Sequence, residues 1–151
     1  MSFPAQSTPR SDVELNACII LEVETRTGLR ILMNLERRAN GHSVFGFPGG
    51  KIDHGETPFQ AACREFHEET DQPFDLSAWI EISKFTIGDT RFYRGRYTAR
   101  LDLGPRSNRE VEATELVRIQ EFEAALLDPT HVITVGRYSG RLRKCCHITF
   151  Q

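Results

Sequence analysis

"GGKIDHGETPFQAACREFHEET", residues 49–70, is the stretch on which the reading of this chain turns. Two glycines open it, and Glu65, Glu68 and Glu69 crowd into five positions near its end. Thr57 suits a helix N-cap, Pro58 the first helical position, and Gln60 completes a Thr-x-x-Gln capping box. The pattern predicts a helix from Pro58 to Thr70 that ends near Asp71, ahead of Pro73. On that helix Glu65, Glu68 and Glu69 share one side, related as i, i+3 and i+4, where like charges repel. Phe59, Ala62, Cys63, Phe66 and Thr70 fall on another side and can pack on a sheet. Only Arg64 and His67 interleave with the acids. The glycines just before carry no side chain to block a ligand. Three hard carboxylates on one helical face suit Mg²⁺ or Mn²⁺, which prefer oxygen ligands and engage phosphates. Metal-assisted substitution at phosphorus is the chemistry that such a face suggests.

Outward from the helix the chain reads as strands. "ACIILEV" (Ala17–Val23) is an apolar, β-branched run with "LRILMNL" (Leu29–Leu35) as its hairpin partner across "TRTG". "VFGFPGG" reads as a short strand that stops at Pro48 and the two glycines. "WIEISKFTIG" (Trp79–Gly88) and "RFYRGRYTARLDL" (Arg91–Leu103) read as long strands, the second with one wet face by its alternation. "TELVRI" is a short strand and "QEFEAALL" (Gln120–Leu127) a helix start; beyond Pro129 a second helix and a closing strand, "CCHITF", both fit. Residues 1–14 mix Pro, Ser, Gln and Thr and read as a flexible leader or edge segment, leaving 15–151 as one domain.

The 151 residues carry a formal net charge of −2, which gives no global attraction to nucleic acid or to an anionic membrane. Locally, Arg137, Arg141, Arg143 and Lys144 follow Val135 with no acidic residue among them, either a solvated end or an RNA-contacting patch. Cys18, Cys63, Cys145 and Cys146 form no CxxC pair, and adjacent cysteines do not easily bridge each other. With no secretory signal and no apolar run of membrane-spanning length, a reduced, cytoplasmic setting is expected.

From Gly50 the residues run Gly50, five residues, Glu56, seven residues, Arg64-Glu65-Phe66, one residue, Glu68-Glu69. This resembles the Nudix box, GX5EX7REUXEEXGU with U an aliphatic or aromatic residue, at every charged position. The resemblance implies an α/β (α+β) fold, an α/β/α sandwich whose central mixed β-sheet carries the catalytic helix after a Gly-rich loop. It implies a Nudix hydrolase, an Mg²⁺- (or Mn²⁺-) dependent pyrophosphohydrolase acting on a nucleoside diphosphate linked to another moiety X. By the same analogy Glu68 and Glu69 are metal ligands, Glu65 a ligand or general base, and the Gly49 carbonyl a further ligand. Glu56 pairs with Arg64 to brace the loop on the helix. A later glutamate joins the site in many members, here Glu110 ahead of Glu112 and Glu115. Arg37 and Arg38 are candidates for phosphate contacts, and Phe45, Tyr93 and Tyr97 for stacking on a base. The box departs at its end, where Asp71 and Gln72 replace the usual glycine and apolar residue. A shifted helix end is expected, with Phe74 supplying the apolar contact.

Substrate remains open at this level. Nucleotide sugars, dinucleoside polyphosphates, nucleoside triphosphates and an RNA 5′ end or cap all fit, on either a monomer or a homodimer. An isopentenyl diphosphate isomerase would need a reactive cysteine, and Cys63 lies on the apolar stripe. A non-catalytic Nudix-like nucleotide-binding module would be expected to lack box glutamates, which this chain keeps.

Overall fold

The computed structural model describes residues 14–37, 43–103, 111–118 and 120. Among the described residues, seven strands and one α-helix follow in the order β1 (Asn16–Thr25), β2 (Gly28–Arg37), β3 (Ser43–Gly46), β4 (Gly49–Lys51), α1 (Pro58–Thr70), β5 (Trp79–Ile87), β6 (Thr90–Tyr97) and β7 (Val111–Arg118). They form one mixed sheet, ordered β3-β2-β1-β6-β5, with β4 added to β1 and β7 to β2. The β1–β6 pair is parallel and the other pairs are antiparallel.

The predicted hairpin forms at β1 and β2, with Glu22 opposite Ile31 and Thr25 opposite Gly28. Gly28 takes φ 118°, a conformation closed to ordinary side chains, so the turn needs it. The helix has the predicted bounds and start. Thr57 accepts a hydrogen bond from the Gln60 N–H at 3.1 Å, and the Gln60 side chain accepts from the Thr57 N–H at 2.9 Å. Such a cap contributes about 1 kcal/mol.

Two expectations about the strands are corrected. The glycine pair does not end a strand; Gly49–Lys51 is itself β4, with Cys18 opposite Gly49. The backbones meet there because glycine has no Cβ, which would stand 2.6 Å from Cys18 Cα. Second, β6 stops at Tyr97, and neither of its faces is wet: the successive residues Phe92, Tyr93 and Arg94, which point to alternate faces, are all buried. Its charged Arg94 is buried beside the equally buried Glu22 and donates to it through Nε. A buried pair of this kind is tolerated because each charge neutralises the other.

The altered end of the box also has an explanation. Asp71 takes the left-handed conformation itself (φ 60°, ψ 23°) and its N–H bonds the His67 carbonyl, so the helix end is not shifted. Short polar side chains enter that conformation more readily than other non-glycine residues. Gln72 ties down the chain beyond β6: its Nε2 donates to Asp102 O at 2.9 Å and its Oε1 accepts from Asp102 N at 2.7 Å.

The helix packs on one face of the sheet. Ala61, Ala62 and Phe66 meet Ala17, Ile19, Leu21 and Leu32, the two alanines allowing close approach. Phe74 supplies the expected apolar contact, edge-on to Phe66 at 5.4 Å and stacked on Tyr97 at 5.1 Å. The outer helical layer expected of the sandwich, and the helix or closing strand expected beyond Pro129, fall on the chain after Gln120, which lies outside the described residues. No helix among the described residues is long and apolar enough to cross a membrane.

Candidate active site

Helix α1 lies against β1 and β4, which puts Gly49 and Gly50 beside its acidic side. Arg64 organises the loop between them. Its Nε donates to Glu56 Oε2 at 2.7 Å and its Nη2 to Glu56 Oε1 at 3.1 Å, a bidentate pair. Nη2 also donates to the Lys51 carbonyl at 3.0 Å, which fastens β4 to the helix. Arg64 holds the Glu56 carboxyl below the usual carboxylate range, helped by the Asp53 N–H, while Glu56 keeps the guanidinium more firmly charged. The brace expected of Glu56 and Arg64 is thus present in the geometry.

The three remaining acids differ in surroundings. Glu68 is half exposed and accepts from Arg64 Nη1 at 3.2 Å. Glu65 keeps 17% of its side-chain exposure, with Arg64 Nη1 at 3.7 Å. A Cβ on Gly50 would stand 2.6 Å from Glu65 Cδ, so this glycine makes the space in which the carboxyl lies. Burial pushes the Glu65 carboxyl up to about 7, opposed by the Arg64 charge and reinforced by the charge of Glu68 and a hydrogen bond to it. Glu69 is buried, and its Oε1 accepts from the Gly49 N–H and from Asn34 Nδ2, each at 3.1 Å.

Among the described residues, no group of three or more His, Cys, Asp and Glu side chains is drawn together tightly enough to hold a metal ion as it stands. The donor chemistry nevertheless fits a hard divalent cation. A carboxyl that is desolvated and hydrogen-bonded to a second carboxyl retains a proton that a cation would replace. Arg64 Nη1 supplies part of that compensation at Glu68.

Other predicted residues are placed less favourably. Tyr93 is 7% exposed and packs edge-on against Phe59 at 4.9 Å, with the Arg91 guanidinium 5.6 Å from its ring centre. It is part of the aromatic core, with no open face for a base. Tyr97 is likewise buried, and its hydroxyl accepts from Asp75 N at 2.8 Å. Glu115 is exposed, and strand alternation puts it on the face opposite Thr114, whose hydroxyl bonds Asn34. It therefore faces away from Glu69. The backbone of Glu112 lies in β7 where the ladder shifts register opposite Leu35 and Glu36. Arg37 and Phe45 are placed by backbone alone, paired with Ser43 and Leu35. Arg38 and Glu110 lie outside the described residues. Asn34 and Thr114 reach the acidic cluster without having been picked out; the one available signal was an asparagine inside the apolar run "LRILMNL".

The NUDIX domain model matches residues 14–135, most of the chain. No curated protein sequence matches it. Among solved structures, a C. elegans Ap4A hydrolase in a binary complex is 16% identical with a TM-score of 0.62, over 91% of this chain and 98% of that one. The NUDIX domain of Shewanella oneidensis NrtR, complexed with ADP ribose, is 12% identical with a TM-score of 0.62 over 100% of both chains. A putative nudix hydrolase family member from Chromobacterium violaceum is 21% identical with a TM-score of 0.59, over 95% of this chain and 83% of that one. The chain belongs to the NUDIX domain family. With its whole set of box carboxylates it is a Nudix hydrolase, as the box implied.

Proposed function

We propose that this chain is a Mg²⁺- or Mn²⁺-dependent pyrophosphohydrolase that uses water to cleave a diphosphate linkage in a nucleoside diphosphate joined to a further moiety. The observation that carries this is the acidic face of α1: Glu65, Glu68 and Glu69 are all kept, beside two glycines and a carboxylate-braced Arg64. Glu68, Glu69, Glu65 and the Gly49 carbonyl would hold the cation, with Glu110 as a candidate from the later loop. When bound, the cation supplies charge neutralisation at the phosphoryl oxygens and a more acidic water. Glu65, with its carboxyl pushed up to about 7, is suited to exchange a proton with water near neutral pH. Arg64 keeps the loop that carries Gly49 and Gly50 against the helix, which fixes the distance between backbone and carboxylates.

The substrate class is supported by fold neighbours of different chemistry, an Ap4A hydrolase and a domain complexed with ADP ribose. Ap4A and ADP ribose each contain a nucleoside diphosphate unit. A panel of ADP-ribose, diadenosine polyphosphates, nucleotide sugars, oxidised dGTP and capped RNA, each with Mg²⁺, tests the reading. One class should be turned over, and Glu68→Gln and Glu69→Gln should each lower its rate at least about 100-fold without unfolding the protein. Full turnover in both variants would sink the metal assignment. Release from no substrate would favour a binding module.

A further inference from the structure

Asn34 sits in the middle of β2 with no solvent exposure, and Thr114 is its register partner on β7, also buried. Thr114 Oγ1 donates to Asn34 Oδ1 at 2.7 Å, and Asn34 Nδ2 donates to Glu69 Oε1 at 3.1 Å. The Gly49 N–H meets the same oxygen at 3.1 Å. A chain of hydrogen bonds therefore runs from one sheet strand through a second to a box carboxylate on the helix.

We propose that Asn34 and Thr114 are positioning residues that set the rotation of the Glu69 carboxylate for a divalent cation. This rests on the metal reading given above. Two donors converging on Oε1 fix the terminal torsion of a side chain with three rotatable bonds, and so fix where its second oxygen points. The choice of an amide matters. A lysine or arginine at position 34 would neutralise Glu69 and compete with the cation, whereas Asn34 orients the carboxylate and leaves its charge intact. An amide can present either end, and a turned Asn34 would set its oxygen against that of Glu69 in a dry site. The Thr114 hydroxyl holds the productive orientation by donating to Oδ1. Both residues are buried on strands hydrogen-bonded to each other, with Asn34 directly opposite Thr114, so the support is rigid, as residues behind metal ligands generally are.

The test is Mn²⁺ binding by calorimetry to the full, chelator-treated chain without nucleotide. Thr114→Val keeps the shape and removes the donor; Asn34→Leu removes the amide. Each should weaken Mn²⁺ binding about 10-fold or more, and Thr114→Ser should restore it to within about twofold of wild type. In the wild-type protein the Asn34 side-chain amide protons should exchange slowly by NMR, and Thr114→Val should speed that exchange. Unchanged Mn²⁺ affinity in Thr114→Val and Asn34→Leu, with affinity lost in Glu69→Gln, would overturn the positioning role and spare the metal site. Fast exchange of the wild-type Asn34 amide would overturn it without recourse to any variant. If wild type takes up no Mn²⁺, the metal reading fails and the positioning role fails with it.

Discussion

Replacing Gly50 with alanine separates catalytic placement from folding. A Cβ at this position would stand 2.6 Å from Glu65 Cδ and 3.3 Å from its Cγ. Ordinary contact begins near 3.4 Å, and Glu65 Oε2 would stand nearer still than Cδ, so the carboxyl must retreat by more than about 0.8 Å. The obstacle is the far end of a flexible side chain, and Gly50 does not require a left-handed backbone. Glu65 can therefore turn aside at little cost, and the expected loss of stability is under about 1 kcal/mol. Catalysis is far less tolerant, since a misplacement of about 1 Å can lower rate by about 100-fold. Gly50→Ala should thus keep its thermal midpoint within a few degrees, by roughly the usual conversion, and lose about 100-fold in kcat on the substrate found by the panel. The neighbouring Gly49→Ala is the contrast. There the added carbon would stand 2.6 Å from Cys18 Cα, which is backbone and cannot move alone, so β4 should detach and the midpoint fall steeply. Wild-type turnover in Gly50→Ala would refute the view that the Glu65 position is set by this glycine. Unfolding of Gly50→Ala would refute the claim that only a side-chain tip is displaced.

Two further outcomes follow from the electrostatics. Arg64→Lys keeps the charge but not the fork to Glu56 or the bond to the Lys51 carbonyl; it should lower the urea midpoint, and the drop should be mostly abolished in a Glu56→Gln background. Equal loss in both backgrounds would show that the pair is not what braces the loop. For pH, the Glu65 carboxyl is raised from an ordinary 4.5 to about 7, so the folded, metal-free chain holds that proton more tightly than the unfolded chain. The corresponding stability is present below pH 4.5 and lost as pH rises through 7, by at most roughly 3 kcal/mol. The difference in melting between wild type and Glu65→Gln in chelator should carry this slope, and affinity for Mn²⁺ should rise over the same interval. A flat difference would place Glu65 in water rather than in the half-buried site.

The helix was legible because its information is local. Thr57, Pro58 and Gln60 set its start by hydrogen bonds within one turn, and the carboxylates reach one side through helical geometry alone. The hairpin of β1 and β2 was legible for the same reason, being two apolar runs across a turn that needs Gly28. β6 was misjudged as half wet because alternation reports on faces only where one face is solvated. In β6 the residues of both faces are buried, Tyr93 on one and Phe92 and Arg94 on the other, and Arg94 is matched by Glu22, 72 residues away.

The chain of residues thus carries in plain order the box, the helix that displays it and the chemistry it suits. Which acid is poised to hold a proton, and which is locked in place, was decided by tertiary contacts. Glu65, Glu68 and Glu69 are equivalent in type, and their spacing says nothing of their surroundings. Packing half-buries the first beside Gly50, leaves the second at the rim with Arg64, and sets the third under Asn34 and Thr114. Those partners come from strands far along the chain, and desolvation and hydrogen-bond direction exist only once the sheet has brought them together.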